Sequence, residues 1–151
     1  MELIDVLDEK IIQIGVDAKD KAEALSKMSD VLLDQGYISD KNSFMEDIYF
    51  RESQGETGLG HGVAIPHGQS DSVNKLGIAI ATLNQGIEWE SLDDIPIDTI
   101  FLFSVCNSAN FARDHMLMLS KVAAKLADDD LLERVRKASS AQEMVSLLCG
   151  D

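Results

Sequence analysis

The stretch TGLGHGVAIPHG, residues 57–68, restricts the fold of this chain more strongly than any other part of the sequence. Its first half contains three glycines in alternate positions: Gly58, Gly60 and Gly62. Glycines spaced this closely indicate a backbone that turns sharply, reaches positive φ values or lets a ligand come close. Glycine turns of this kind can also direct backbone N–H groups at an anion.

A short strand and a histidine follow the glycines. The apolar run 63–65 predicts a buried strand, and Pro66 is expected to end it because proline has no N–H to donate to a sheet. His67 then lies on a stiff turn at the strand end, where we expect it at the protein surface with its imidazole available to another molecule. The spacing alone leaves an alternative open, in which the glycines only shape a loop and His67 is a surface histidine without a role.

Strand patterns recur along the rest of the chain. Runs of β-branched and apolar residues predict strands at 10–14, 76–83 and 99–106. The last run is continuously apolar, which is typical of a central strand covered on both faces. A turn is expected at 84–86, and irregular structure at 87–98.

Helical patterns alternate with these strands. Apolar residues at helical spacing, preceded by capping residues, predict five helices: 18–35 after Asp17, from Ser39 or Asp40 to Arg51, 111–127, 131–137 after the acidic run 128–130, and from Ser140 onwards. The alternation predicts a single α/β domain, residues 1–151, in which helices flank a central sheet.

The formal net charge of −14 limits the class of partner. Such a field repels nucleic acid and anionic membranes and favours encounter with a basic protein. No apolar run approaches the roughly 18 residues that a membrane span needs, and the N-terminus lacks the pattern of a signal peptide. Cys106 and Cys149 are too few for a disulfide framework or a zinc ribbon. We therefore expect a cytoplasmic protein that neither spans a membrane nor binds nucleic acid.

Four side chains suggest a site for an anion. His61 and His67 lie in the glycine-rich stretch, Arg51 lies just before it, and His115 lies near the start of a helix that follows the strongest strand, where α/β folds commonly bind ligands. Two imidazoles, a guanidinium and backbone N–H groups can hold a dianionic phosphoryl group. A neutral imidazole nitrogen is also a competent nucleophile for phosphoryl transfer.

Other interpretations remain open for each of these residues. Arg51 can pair with an acid, His115 can be a half-buried core histidine, and His61 can simply occupy a loop. The three histidines could together hold zinc, but neither a His-Glu-x-x-His nor a Cys-x-x-Cys spacing is present, so we expect no metal and no cofactor. The glycines match neither a P-loop nor a dinucleotide fingerprint.

The motifs resemble a known family. Arg51-Glu52 followed by TGLGxGVAIPHG at 57–68 resembles the signature of the fructose/mannitol-type enzyme IIA domain, which also has a nitrogen-regulatory branch, of the bacterial phosphoenolpyruvate-dependent sugar phosphotransferase system. Further segments resemble its later strands, its helix with a second histidine and its last helix: Gly86-Ile87, 98–103, Asp114-His115-x-x-x-Leu119, and Ala138-Ser139-Ser140-x-x-Glu143. The resemblance covers nearly the whole chain.

The resemblance implies a mixed sheet flanked by helices and a role in phosphoryl transfer. By this resemblance, His67 is the phosphorylated residue, His115 stabilises the phosphoryl group and Arg51 supports it with positive charge. The donor would be the phosphorylated carrier protein HPr. The acceptor would be an enzyme IIB domain, through a cysteine in the fructose and mannitol branch, for uptake of a sugar such as fructose or mannitol. The alternative is a nitrogen-type regulator whose phosphorylation state controls partner binding.

Two features fall outside what the family pattern specifies. His61 replaces the usual small or apolar residue between the glycines, and no role is transferred to it. An apolar rim around His67 would exclude water and help docking, and Leu59, Val63 or Phe111 is expected to supply it.

Overall fold

The computed structural model describes residues 2–150, apart from the side chains of residues 109–111. Two short 3₁₀ turns, Leu3–Asp5 and Glu9–Ile11, precede the first strand. The described strands are β1 Ile12–Val16, β2 Gly58–Gly60, β3 Val63–Ala64, β4 His67–Gln69, β5 Gly77–Ile87 and β6 Ile97–Val105. The described helices are α1 Lys21–Asp34, α2 Lys41–Glu52, α3 Ala109–Leu126, α4 Asp129–Arg136 and α5 Ala141–Cys149.

The six strands form one mixed sheet with the order β1-β5-β6-β3-β2. β5 and β6 are antiparallel, whereas β1 is parallel to β5. β3 and β4 both pair in parallel with β6, one after the other along its length, and Ile65 and Pro66 separate them. Pro66 therefore interrupts this edge of β6 rather than leading into a turn, because its carbonyl still accepts a hydrogen bond from Phe103 N at 3.0 Å.

Helices cover both faces of the sheet, and each face has its own apolar core. Alternate residues of β6 point to opposite sides, so that Phe101 and Phe103 pack towards α3, α4 and α5 while Ile100 and Leu102 pack towards α1 and α2. All four are fully buried. This arrangement confirms the predicted α/β class with a mixed central sheet in a single domain. Within residues 2–150, none of the helices has the length and apolar character of a membrane span.

Capping residues fix most helix starts as the sequence indicates. Asp40 and Ser140 accept hydrogen bonds from the third residue of α2 and of α5, and Asp128 caps α4. The prediction of Asp17 as the cap of α1 is wrong. Asp20 takes that position, since its carboxylate accepts from Glu23 N at 2.9 Å, while Asp17 accepts instead from the side chain of Asn84 at 2.7 Å.

Two other predictions are corrected. No turn interrupts the chain at 84–86, because β5 continues to Ile87, which pairs with Ile97 at the start of β6. The Asn84 side chain donates to Gly15 O at 3.0 Å and so keeps this polar part of β5 attached to β1. Consequently residues 87–98 are not wholly irregular, and β6 begins before residue 99.

Candidate active site

His67 opens β4, and its ring is buried. In the parallel register with β6 its partner is Phe103, and the two rings stack with centroids 5.3 Å apart and planes at 27°. Only 7% of His67 is exposed, so the expectation of a surface histidine on a turn is wrong. The strand pairing explains this burial, because it holds the His67 ring directly beside a core phenylalanine.

His115, on α3, completes a cluster of three rings. Its centroid lies 4.7 Å from that of His67, with the planes nearly perpendicular at 82°, and 5.4 Å from that of Phe103. His115 is half-buried. The start of β4 and the first half of α3, which are far apart in the sequence, therefore bring two imidazoles into contact.

Arg51 reaches the same place from the last turn of α2. Its Nη1 atom donates to Gly55 O at 3.2 Å, and no ion pair within residues 2–150 involves it. The alternative that Arg51 simply pairs with an acid is therefore not observed among the described residues. The positive charge of the guanidinium lies close enough to both imidazoles to lower the pKa of each.

These side chains share a cleft of about 390 Å³ between α2, β4 and α3. Seven residues line it: Asp47, Phe50, Arg51, His67, Gln69, Asn107 and His115. Phe50 supplies the apolar rim, since 67% of it is exposed. Val63, which was expected there, is buried in the core, Leu59 packs against the same core, and the Phe111 side chain lies outside the described residues.

Both imidazoles are held in the neutral form. Burial, the neighbouring His115 and the charge of Arg51 lower the pKa of His67 to about 4, although the backbone of Ile65 and Pro66 acts in the opposite direction. Burial and Arg51 also lower the pKa of His115. At neutral pH each ring therefore retains a nitrogen lone pair.

One nitrogen of each ring is buried without a protein partner. Among the described residues, His67 Nδ1 and His115 Nε2 have no hydrogen-bond partner. Buried polar atoms are almost always paired, and exceptions concentrate at functional sites. The presence of two such atoms on rings that contact each other indicates, independently of the sequence motifs, that this cleft is the candidate active site.

Gly68 serves packing rather than access. His67 and Gln69 face the cleft, whereas Gly68 between them faces the opposite side of β4. A Cβ at Gly68 would overlap the ring of Phe44 on α2. The glycine after the histidine therefore lets α2 pack tightly on β4, which brings Arg51 within range of the cleft.

The glycine turn with His61 lies elsewhere. Gly60, His61 and Gly62 all have positive φ, of 89°, 57° and 85°. Their turn does not offer a nest to an anion, because Gly60 N donates to Ser91 Oγ and His61 N to Asp93 Oδ2, at 3.1 and 3.0 Å. This correction removes the glycines from the expected phosphoryl-binding groups.

His61 lines a second cleft, together with Gly62, Asp98 and Arg136, that has no residue in common with the first. The three histidines are therefore not one ligand set. Within the part of the chain that the structure describes, no group of three His, Cys, Asp or Glu side chains is arranged to hold a metal ion.

Sequence reasoning missed five residues of the site: Asp47, Phe50, Gln69, Phe103 and Asn107. Asp47 precedes Arg51 by one helical turn, and Gln69 follows His67 by one strand period, so both could have been found from periodicity. Phe103 depends on the register between β4 and β6, which has no local signal.

Comparisons with known proteins agree with this architecture. The family "Phosphoenolpyruvate-dependent sugar phosphotransferase system, EIIA 2" matches residues 5–149. A fructose-specific EIIABC component of Bacillus subtilis (strain 168) is 29% identical over 98% of this chain, but the chain spans only 23% of that relative's length. A nitrogen regulatory protein of Klebsiella oxytoca is 32% identical, over 98% of this chain and 90% of its own.

A solved structure of similar fold supports the same assignment. The nitrogen regulatory protein IIA-Ntr from Neisseria meningitidis superimposes with a TM-score of 0.88 at 27% sequence identity, over 97% of this chain and 98% of that one. With the family match over nearly its whole length, this chain belongs to the EIIA 2 family of the phosphoenolpyruvate-dependent sugar phosphotransferase system.

Proposed function

We propose that this protein is a cytoplasmic phosphoryl carrier that accepts phosphate on His67 from phosphorylated HPr and passes it to an enzyme IIB domain, for uptake of a sugar such as fructose or mannitol. The observation that supports this most strongly is the contact of two neutral imidazoles, 4.7 Å apart, in a cleft that also contains Arg51.

The transfer exchanges one N–P bond for another. A ring-nitrogen lone pair of His67 attacks the phosphorus of the donor phosphohistidine, the donor N–P bond breaks, and its electron pair returns to the donor imidazole. The low pKa of His67 leaves this lone pair free of a proton at neutral pH. In the onward step the phosphoryl group passes to the IIB side chain, a cysteine thiolate in the fructose and mannitol branch, and His67 regains its lone pair.

Two neighbours stabilise the transferred group. The Arg51 guanidinium offers N–H donors and positive charge to phosphoryl oxygens, and His115 offers a ring N–H in its neutral tautomer. Neither requires a proton transfer, so the group is bound but remains transferable. Burial of His67 beside Phe103 limits access of water, which would otherwise hydrolyse the phosphohistidine.

The surface around the cleft suits protein partners. Phe50 on α2 is an exposed apolar side chain that lines the cleft, and Met116 and Leu117, which follow His115 on α3, are exposed apolar side chains as well. The net charge of −14 favours encounter with a basic donor protein over a free phosphorylated metabolite.

A reconstituted relay tests the proposal. The protein is phosphorylated with phosphoenolpyruvate, enzyme I and HPr, separated from them, and mixed with a fructose-type IIB domain. We expect phosphate to leave this protein and to appear on the IIB cysteine. A phosphorylated form that transfers to no IIB domain would contradict the transport role while leaving the carrier chemistry intact.

A nitrogen-type regulatory role is the second candidate. The favouring observation is that the chain spans 90% of the Klebsiella oxytoca nitrogen regulatory protein at 32% identity. This role predicts that the unmodified and phosphorylated forms capture different partners from the same cell extract. Identical capture by both forms, together with transfer to IIB, would exclude regulation in favour of transport.

A further inference from the structure

A buried ion pair joins Lys21 to Glu52, the residue that follows Arg51 in the sequence. The Glu52 carboxylate is only 6% exposed, and its Oε1 atom lies 2.6 Å from Lys21 Nζ, which is 17% exposed. A charge buried to this extent requires strong partners. Neither residue lines the histidine cleft, so their function is not direct contact with a phosphoryl group.

Thr57 and Trp89 extend this pair into a closed network. Thr57 Oγ1 lies 2.9 and 2.7 Å from the two carboxylate oxygens of Glu52, and Trp89 Nε1 donates to Thr57 Oγ1 at 3.0 Å. Lys21 Nζ also lies 4.8 Å from the centre of the Trp89 ring. Thr57 and Trp89 are 2% and 9% exposed, so the network lies within the packed interior.

The network closes the loop that restrains Arg51. Glu52 ends α2 and Thr57 precedes β2, so their hydrogen bond joins the two ends of residues 53–56. Inside this loop, Gly55 O accepts the hydrogen bond from Arg51 Nη1. It is the one side-chain hydrogen bond of Arg51 among the described residues.

We propose that Glu52 is a positioning residue, whose carboxylate, held by Lys21 and Thr57, fixes the 53–56 loop so that Gly55 O keeps the Arg51 guanidinium beside His67 and His115. This inference rests on the proposed phosphoryl-carrier function for its catalytic consequence. Its geometric part stands on the hydrogen bonds alone, and the two parts can be measured separately.

A double-mutant cycle tests the catalytic consequence. Glu52→Gln keeps the size of the side chain and an oxygen for Thr57, but it removes the buried one of the two charges opposite Lys21, the other being the exposed Glu90 at 3.1 Å. We expect it to slow phosphoryl transfer from HPr to His67 by about tenfold, and to have no further effect in an Arg51→Ala background, because residues that act through one group are non-additive. An equal slowing in both backgrounds would overturn the proposal.

An NMR titration of the imidazoles tests the geometry without any phosphoryl transfer. If the guanidinium moves away, the pKa values of His67 and His115 rise towards the ordinary value in Glu52→Gln, since Arg51 lowers both. A wild type that accepts no phosphate would refute the carrier function, whereas unchanged histidine pKa values in Glu52→Gln would refute the positioning role.

Two further variants guard against simple destabilisation. Thr57→Val removes the bridging hydroxyl without removing a charge, and it should reproduce both effects if Glu52→Gln does not fold. Asp98→Asn is the matched control: it breaks a part-buried ion pair with Arg136, of 3.0 Å, in the other cleft. Changes in transfer rate or histidine pKa in Asp98→Asn equal to those in Glu52→Gln would overturn the proposal.

Discussion

The histidine cleft and the glycine turn are both encoded in residues 57–68, yet the fold uses them in opposite ways. His67 is buried against Phe103, with one ring nitrogen unpaired among the described residues. His61 is exposed, and its backbone N–H is already bonded to Asp93. In the histidine cleft a buried ring nitrogen is therefore available to a ligand, whereas in the glycine turn two backbone N–H groups already donate hydrogen bonds that hold the turn.

This difference shows that some residues of a motif are needed for backbone conformation and packing, and others for chemistry. The glycines around His61 satisfy positive φ values, and Gly68 after His67 satisfies close packing against Phe44. None of them binds the phosphoryl group in the proposed mechanism. A glycine-rich segment beside a reactive residue therefore indicates a backbone requirement first, and anion binding only if its amides are unpaired.

Replacing His115 in the histidine cleft and His61 in the glycine turn, one at a time, should distinguish the two regions most clearly. We expect His115→Ala to slow phosphoryl transfer by about 100-fold, because it removes one preorganised donor to the transferred group. His61→Ala should leave the rate unchanged, since it lies in another cleft. Rapid-quench measurement of phosphate transfer from HPr checks both; a large effect of His61→Ala would mean that the glycine turn belongs to the site.

The two glycine positions should differ in their cost to stability. Gly68→Ala places a methyl group into the Phe44 ring and should lower the free energy of unfolding by about 2 kcal/mol through overpacking. Gly60→Ala, at φ 89°, should cost about 1 kcal/mol through backbone strain. Denaturant titrations of both variants provide the comparison, which fails if Gly68→Ala is as stable as the wild type.

The stability of the protein should depend on pH through His67. Its folded pKa of about 4 lies below the ordinary value of 6.5, so between these values the unfolded chain binds a proton that the folded protein does not. The contribution of His67 to the free energy of unfolding is therefore fully present above pH 6.5 and is lost as the pH decreases towards 4. From pH 7 to pH 5 the loss due to His67 should be about 2 kcal/mol.

Denaturant titrations at these two pH values, with His67→Gln as the comparison, measure this contribution. The variant should lose about 2 kcal/mol less than the wild type, because glutamine does not titrate. Equal losses would show that the His67 ring is not held neutral.

A small gain in stability is expected at the glycine turn. His61 has a φ of 57°, a conformation that costs a side-chain-bearing residue about 1 kcal/mol. His61→Gly should relieve this strain and raise the free energy of unfolding by about 0.5 kcal/mol, the rest being offset by the greater freedom of glycine in the unfolded chain. Destabilisation by His61→Gly would show that the imidazole makes a contact of its own.

Local patterns predicted the elements of this fold better than their edges and contacts. The apolar run after residue 98 identified the central strand, and Ser140 identified the start of α5. Burial of His67 could not be predicted, because it depends on strand pairing with Phe103, which is 36 residues away in the sequence. The same holds for Asp17 and Asp20: either can cap a helix, and only the contact with Asn84 decides between them.

The candidate site divides in the same way. The residue types and the family resemblance pointed to His67, His115 and Arg51, and the structure brings all three to one cleft. The low pKa of His67 and the separation of His61 follow from packing, which no local pattern specifies.

Phosphorylation of the intact protein is the measurement to make first. The wild type, His67→Ala and His61→Ala are incubated with phosphoenolpyruvate, enzyme I and HPr, and intact mass is read before and after mild acid. We expect one acid-labile phosphoryl group on the wild type and on His61→Ala, and none on His67→Ala. Phosphate on His67→Ala, or none on the wild type, would contradict the assignment of His67 as the acceptor.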